Sequence, residues 1–234
     1  MPARSRSKSR VRRSSEHTKT QFLDAAERVF GSHGYEGTTI RAIARTAGVN
    51  LGTLQHYWGS KRQLFRDLFR IRFEPLKQET LRRLHAIEQE ARAGKGPRAE
   101  DILRALIETT FLLGVEVPHP ASGEIGQSLR QFHRLYGRAL MDPSPVVIAE
   151  IIRIFKQPVE LSLKLMRQAC PQLDPAELDW RLNCIIGAQV FSMVYSERVG
   201  VFFGPEVDVG PRRAADWIIH FLLNGVDAAP YAAS

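Results

Sequence analysis

Along almost the whole chain, apolar residues recur three and four positions apart, and signals for strands are nearly absent. Such spacing puts one apolar stripe on each helix and leaves no alternating face from which a sheet is built. In the first stripe, Phe22, Ala26, Val29 and Phe30 fall at i, i+4, i+7 and i+8, predicting a helix over about 18–32 that ends at Gly31 or Gly34. A second helix follows the Thr38–Thr39 cap, with Ile40, Ile43, Ala44 and Ala47 inward and Gly48 closing it. Asn50 caps a third over 50–58, anchored by Val49, Leu54 and Trp58, and too short to persist without packing. Ser60 caps a fourth, which carries Leu64, Leu68 and Ile71 and kinks or restarts at Pro75 before running to about 93. Further helices are predicted over 98–114, 123–140, 145–169 (interrupted by Pro158), 175–197 and 212–226, with breaks at 94–97, 117–123, 142–145 and 200–211. The fold class is all-α.

Charge divides the chain more sharply than hydropathy. Residues 1–70 hold 14 Lys and Arg against 5 Asp and Glu, and the rest is close to balanced, so the whole net charge of +8 sits in the first third. A basic module joined to a neutral one implies a polyanion for the first and a different task for the second. The expected division is a disordered basic tail over 1–15, a DNA-binding domain over 16–70 and a larger helical domain over 71–234. The tail has six basic residues and no acidic ones. Its use stays open between an arm on phosphates or in a minor groove and a merely solvated segment.

Residues 38–61, TTIRAIARTAGVNLGTLQHYWGSK, place two helices around a short turn. Helices that cross steeply need small residues where they touch, here Ala44, Ala47 and Gly48, and the second helix needs a polar outer face to meet base edges. Leu51, Thr53, Gln55 and His56 are the outward candidates, since Gln makes paired contacts with adenine and Leu51 suits either local packing or a thymine methyl. Thr39, Tyr57 and Lys61 are candidates for phosphate positioning.

The run FLDAAERVFGSHGYEGTTIRAIARTAGVNLGTLQHYWGSKRQLF, residues 22–65, resembles the DNA-binding domain of TetR-type (TetR/AcrR) regulators. The likeness lies in the AA-x-x-x-F of the first helix, the G-Y-x-x-T-T-x-x-x-I-A entry, the A-G-V turn, the G-T-L of the third helix and the trailing S-K. It implies that Arg41 reaches a base from the second helix, that Thr53, Gln55, His56 and Tyr57 meet DNA, and that Lys61 contacts a phosphate. Gln55 stands where Tyr is commonest and Trp58 where Phe is frequent; the first departure bears on operator preference, the second is conservative for packing. The resemblance also implies a C-terminal region that binds an effector and forms the dimer.

Two stretches support that second role from their residues alone. IIGAQVFSMV, residues 185–194, and WIIHFLL, residues 217–223, are apolar nearly all round, so they must be covered on every side. A four-helix interface between two copies does this; burial within one subunit is the competing reading. Candidate effector contacts are His133, Phe155, Ser162 and Gln189, groups within or flanking apolar faces, and Ser162 lies near the Ile154 carbonyl that Pro158 releases. The lining suggests a largely apolar small molecule.

Enzyme signatures are missing: no HExxH, CxxC pair, GxSxG or phosphate loop occurs, and the 7 histidines are scattered. The expectation is therefore no catalytic residue, no metal and no cofactor. With 2 cysteines and no run of apolar residues long enough for a bilayer, a cytoplasmic location and no membrane partner are expected. The function expected is a DNA-binding transcriptional regulator, a repressor released from a palindromic operator by a small molecule, with an activator or an effector-independent DNA-binding protein as alternatives.

Overall fold

The structure, a computed structural model, describes residues 4–116, 125–203 and 211–230, with side chains over 18–112, 130–192 and 212–230. The described residues form nine α-helices and no strand: α1 (Arg4–His33), α2 (Ile40–Ala47), α3 (Leu51–Trp58), α4 (Lys61–Glu90), α5 (Ala99–Glu116), α6 (Ile125–Leu140), α7 (Pro145–Ala169), α8 (Pro175–Phe203) and α9 (Pro211–Val226). A wider helical turn, Ala91–Lys95, ends α4 and breaks at Gly94, whose φ of 93° is left-handed. The loop read at 117–123 lies outside the described residues, as does most of that at 200–211, α8 continuing to Phe203.

The packing divides the chain into two compact units. One comprises residues up to Ile71 together with 118–150; the other runs from Arg72 to 117 and from Ile151 onward. The sequence assigns α6 to the C-terminal domain, yet in the first unit it lies against α1. The two helices come close at Gly31, where a Cβ would stand 3.4 Å from the Leu135 backbone nitrogen, at the limit of ordinary contact. The turn beyond is then fastened by Asp142, whose carboxylate accepts from the Tyr35 backbone N–H at 2.9 Å.

α1 begins at Arg4, although the segment 1–15 is expected to be disordered. Those residues extend a helix already nucleated downstream, and extension is far easier than initiation. Further along, Phe22, Ala25, Ala26, Val29 and Phe30 are buried as the spacing predicts. They meet α4 through aromatic rings. Phe65 sits 5.0 Å from both Phe30 and Tyr35 and 4.6 Å from Phe69. Each ring removed from water stabilises by about 1.5–3 kcal/mol, so this cluster holds much of the first unit's core. The buried arc of α4 is thus centred between a Leu64–Leu68 row and a Phe65–Phe69 row. Ile71, read as core, falls at the edge of that arc and is 40% exposed.

Neither internal proline breaks its helix. α4 runs unbroken through Pro75 and α7 through Pro158. Pro75 is exposed, so the carbonyl of Ile71 that loses its partner can reach water. In the second unit α5 and α9 pack together, and α9 also meets α8. Arg181 of α8 closes the C-terminal end of α9 by donating to the carbonyls of Gly225, Val226, Ala228 and Ala229 at 2.7–2.9 Å. Four otherwise orphaned acceptors are satisfied by one cation at the negative end of the helix dipole.

Candidate nucleic-acid interface

α2 and α3 owe their limits to four local devices. Thr39 Oγ1 accepts from the Ala42 N–H at 3.1 Å and Asn50 Oδ1 accepts from the Gly52 N–H at 2.8 Å, so both N-termini are capped. Gly48, at φ 65°, ends α2 by sending its N–H back to Arg45, and Gly59, at φ 64°, ends α3 by sending its N–H to Gln55. Ser60 caps the following helix through the Gln63 N–H at 3.1 Å.

The capped pair stands on Ile43, Ala44, Leu54 and Trp58, all buried. Trp58 packs edge-on to Phe22 of α1 at 5.8 Å, and its indole N–H donates to Asp67 at 3.1 Å. Gln63 also donates to that carboxylate, at 3.2 Å. With Leu54 and Trp58 pointing inward four residues apart, the opposite side of α3 faces solvent. Gln55 and His56 are exposed there, and Thr53, Leu51 and Tyr57 are half-buried. Thr39 and Arg41 are exposed on α2. From Gly37 to Arg66 the chain carries five cations, Arg41, Arg45, Lys61, Arg62 and Arg66, and no carboxylate. A short helix with polar tips, set beside the exposed cations Arg41, Arg45 and Arg62, suits the edges and phosphates of a duplex.

Lys61 and Tyr57 are more committed within the protein than their sequence readings imply. The Lys61 ammonium donates to the Tyr35 carbonyl at 2.9 Å, lies 4.3 Å from the centre of the Tyr35 ring and is 3.9 Å from Glu36. Burial raises the Tyr35 phenol above its usual range, assisted by Glu36 and opposed by Arg62. Tyr57 lies beneath Lys19 of α1, whose ammonium is 5.2 Å from the ring centre, and its ring also meets His56 and Trp58.

Residues 22–68 match the family model of bacterial regulatory proteins of the tetR family, and residues 119–225 match that of the tetracyclin repressor-like C-terminal domain. The chain belongs to the TetR family. HTH-type transcriptional repressor AcnR of Corynebacterium efficiens is 37% identical over 54 residues, 23% of this chain and 29% of that protein. HTH-type transcriptional regulator BetI of Agrobacterium fabrum is 36% identical over 90 residues, 38% of this chain and 39% of its own length. The chain therefore spans well under half the length of these curated relatives. A TetR-like transcriptional regulator from Rhodococcus sp. RHA1 has the same fold, with a TM-score of 0.53 and 22% identity over 89% of this chain and 95% of that one.

The candidate effector contacts of this TetR-family chain are spread over both units. His133, half-buried beside Phe132 on α6, belongs to the first; Phe155, Ser162 and Gln189 belong to the second. Phe155 lies 5.9 Å from Phe73. The Ser162 hydroxyl is satisfied within its own helix, donating to the Val159 carbonyl at 2.9 Å. Gln189 differs: it is only 7% exposed, and its Nε2 has no hydrogen-bond partner. An unmade bond at a buried amide costs about 1–3 kcal/mol.

Reasoning from sequence passes over several residues that shape the head. Lys19 shows no motif, and only the packing of α1 on α3 reveals it. Arg45 carries an exposed cation on the α2 turn that leads to α3. Asp67 looks like an ordinary surface acid until the Trp58 indole is placed. Among the described residues no helix is long and apolar enough to cross a membrane, and no group of three or more His, Cys, Asp or Glu is placed to hold a metal.

Proposed function

We propose that the chain is a DNA-binding transcriptional regulator, a repressor that leaves a palindromic operator when a small molecule binds. Residues 16–70 act as the reading head, and 71–234 sense the effector and form the dimer. The carrying observation is the solvent-facing side of α3, with Gln55 and His56 exposed over a core locked by Leu54 and Trp58. Gln55 and His56 read base edges, supported by Thr53 and Leu51, and Arg41 reaches from α2; Thr39, Tyr57 and Lys61 set the backbone register. The names of the AcnR relatives describe repressors, which favours repression over activation here.

The dimer reading rests on α8 and α9. Trp180 is 69% exposed and Phe221 is 72% exposed, and they line a groove of about 690 Å³ with Cys184, Ala188 and His220. Large apolar side chains left in water are what a second copy covers. The unpartnered Gln189 amide supports an effector that offers one hydrogen-bond acceptor within an otherwise apolar outline. Release needs only a differential affinity of about 1–3 kcal/mol, which loosens DNA binding roughly 5- to 150-fold.

Selection of bound sites from random duplex DNA tests the reading. Two half-sites related by a dyad are expected. Gln55→Ala should alter the preferred base at one position per half-site, a change of about 1–3 kcal/mol in discrimination. Recovery of no common sequence, or an identical one with Gln55→Ala, would overturn the role given to α3.

A further inference from the structure

We propose that residues 4–15 of α1 form a second DNA contact, lying along phosphates beside the site that α3 reads. The inference rests on the DNA-binding reading above and adds a surface and a mode of recognition to it. The segment holds Arg4, Arg6, Lys8, Arg10, Arg12 and Arg13 and no carboxylate. Its backbone is helical and continuous with the part of α1 that packs on α2. Lys19, on the same helix, stands over the ring of Tyr57 on the reading helix. At about 1.5 Å per residue, Arg13 and Arg4 lie roughly 9 and 22 Å along the axis from Lys19. That span is within one turn of a duplex, which is about 34 Å.

The register of the charges identifies the recognition mode. At about 100° per residue the six cations fall in two rows on opposite sides of the axis, Arg4, Lys8 and Arg12 on one and Arg6, Arg10 and Arg13 on the other. A wedge that kinks the minor groove would need a bulky apolar tip, for which the segment offers only Val11. Cations on two sides of a helix, with no acid among them, suit phosphate, whose charge is uniform along the duplex. The same charges oppose the helix when it stands alone. Arg4–Lys8, Arg6–Arg10 and Lys8–Arg12 are like-charged pairs at i,i+4, no acid sits in the first turn, and every cation lies toward the positive end of the macrodipole. Only an anionic partner turns that arrangement favourable. DNA therefore relieves a repulsion within the helix of residues 4–15 as phosphates displace counterions.

The test compares the full chain with a variant carrying Arg4→Gln, Arg6→Gln, Lys8→Gln, Arg10→Gln, Arg12→Gln and Arg13→Gln, and with a chain lacking residues 2–15. Gln keeps helix propensity, and the truncation needs no helix there at all. Binding to the selected duplex and to a scrambled one is titrated across a series of KCl concentrations, with far-ultraviolet circular dichroism checking that each chain folds. Both variants should lose affinity for both duplexes alike, about 10- to 1,000-fold near 150 mM salt. The log–log salt slope should become shallower by about 0.9 for each phosphate that the segment no longer neutralises. Equal slopes and affinities within twofold for all three proteins, in a chain that still selects a site, overturn this contact and leave the reading head intact. Loss confined to the selected duplex also overturns it, because phosphate contacts do not discriminate. Adherence of the segment to anionic vesicles but not to duplex would assign it to a membrane surface instead. An unmodified chain that selects no duplex defeats the DNA-binding reading and this contact together.

Discussion

The outer side of α3 and the outer sides of α8 and α9 are both left open to solvent, with opposite chemistry. α3 offers Gln55 and His56 over a dry floor of Leu54 and Trp58. α8 and α9 expose Trp180, Ile186, Phe191, Trp217 and Phe221. Polar tips on a rigid, well-packed helix cost little to keep hydrated and suit a wet, charged partner. Large rings in water carry a continuing penalty that ends only when another surface excludes solvent. On the proposed function, one helix discriminates and the other pair adheres.

The largest expected effect comes from charging the adhesive side. Trp180→Glu with Phe221→Glu should turn a dimer at micromolar concentration into a monomer in sedimentation velocity. If each ring is a hot spot worth about 2 kcal/mol or more, the dimer dissociation constant rises roughly 10³-fold. A doubly charged chain that still sediments as a dimer breaks the contrast at its strongest point. Next is Leu54→Ala, which opens a cavity beneath α3 and should cost about 2–5 kcal/mol in urea unfolding. Its neighbour Gln55→Ala should stay within about 0.5 kcal/mol of the parent chain. Similar losses for the two would mean that α3 has no free side. Thr39→Ala and Asn50→Ala should each cost about 0.5–2 kcal/mol, measured the same way, through loss of one cap.

The smallest effect is acid-dependent and belongs to the second unit. Two hydrogen bonds from Arg82, with Arg83 alongside, hold the Glu79 carboxyl down to about 2. Its folded value lies below its ordinary one, so its stabilising share is present above about pH 4.5 and fades as pH falls towards 2. Glu79→Gln should lower Tm modestly at pH 6, and the gap from the parent chain should narrow as pH falls from 4.5 towards 2. A gap that widens on acidification would contradict the ion pair.

What the sequence made legible follows how local the causes are. Thr39, Gly48 and Asn50 act within three residues of themselves, so the turn and both caps can be read from the string. The match of Phe22, Ala26, Val29 and Phe30 to one stripe is equally local. Asp142 and Tyr35 are 107 positions apart, and no periodicity relates them, so the seat of α6 on α1 stayed hidden. Ile71 misled because its spacing from Leu64 and Leu68 suited a leucine row, while Phe65 and Phe69 shifted the buried arc. Both internal prolines looked like breaks because propensity favours one, and tertiary packing overrode it. Lys61 illustrates the same limit at the site: its spacing marks a cation beside α3, but the Tyr35 carbonyl that engages it comes from another loop.

Gly48 carries one more consequence. A Cβ built there would meet nothing within 4 Å, so its left-handed backbone, and not crowding, is what demands glycine. Chirality is then the only obstacle to a side chain at this corner. A semisynthetic chain with D-alanine at position 48 should fold at least as firmly as the natural one, while L-alanine weakens it, because the mirror-image residue prefers the backbone angles already present.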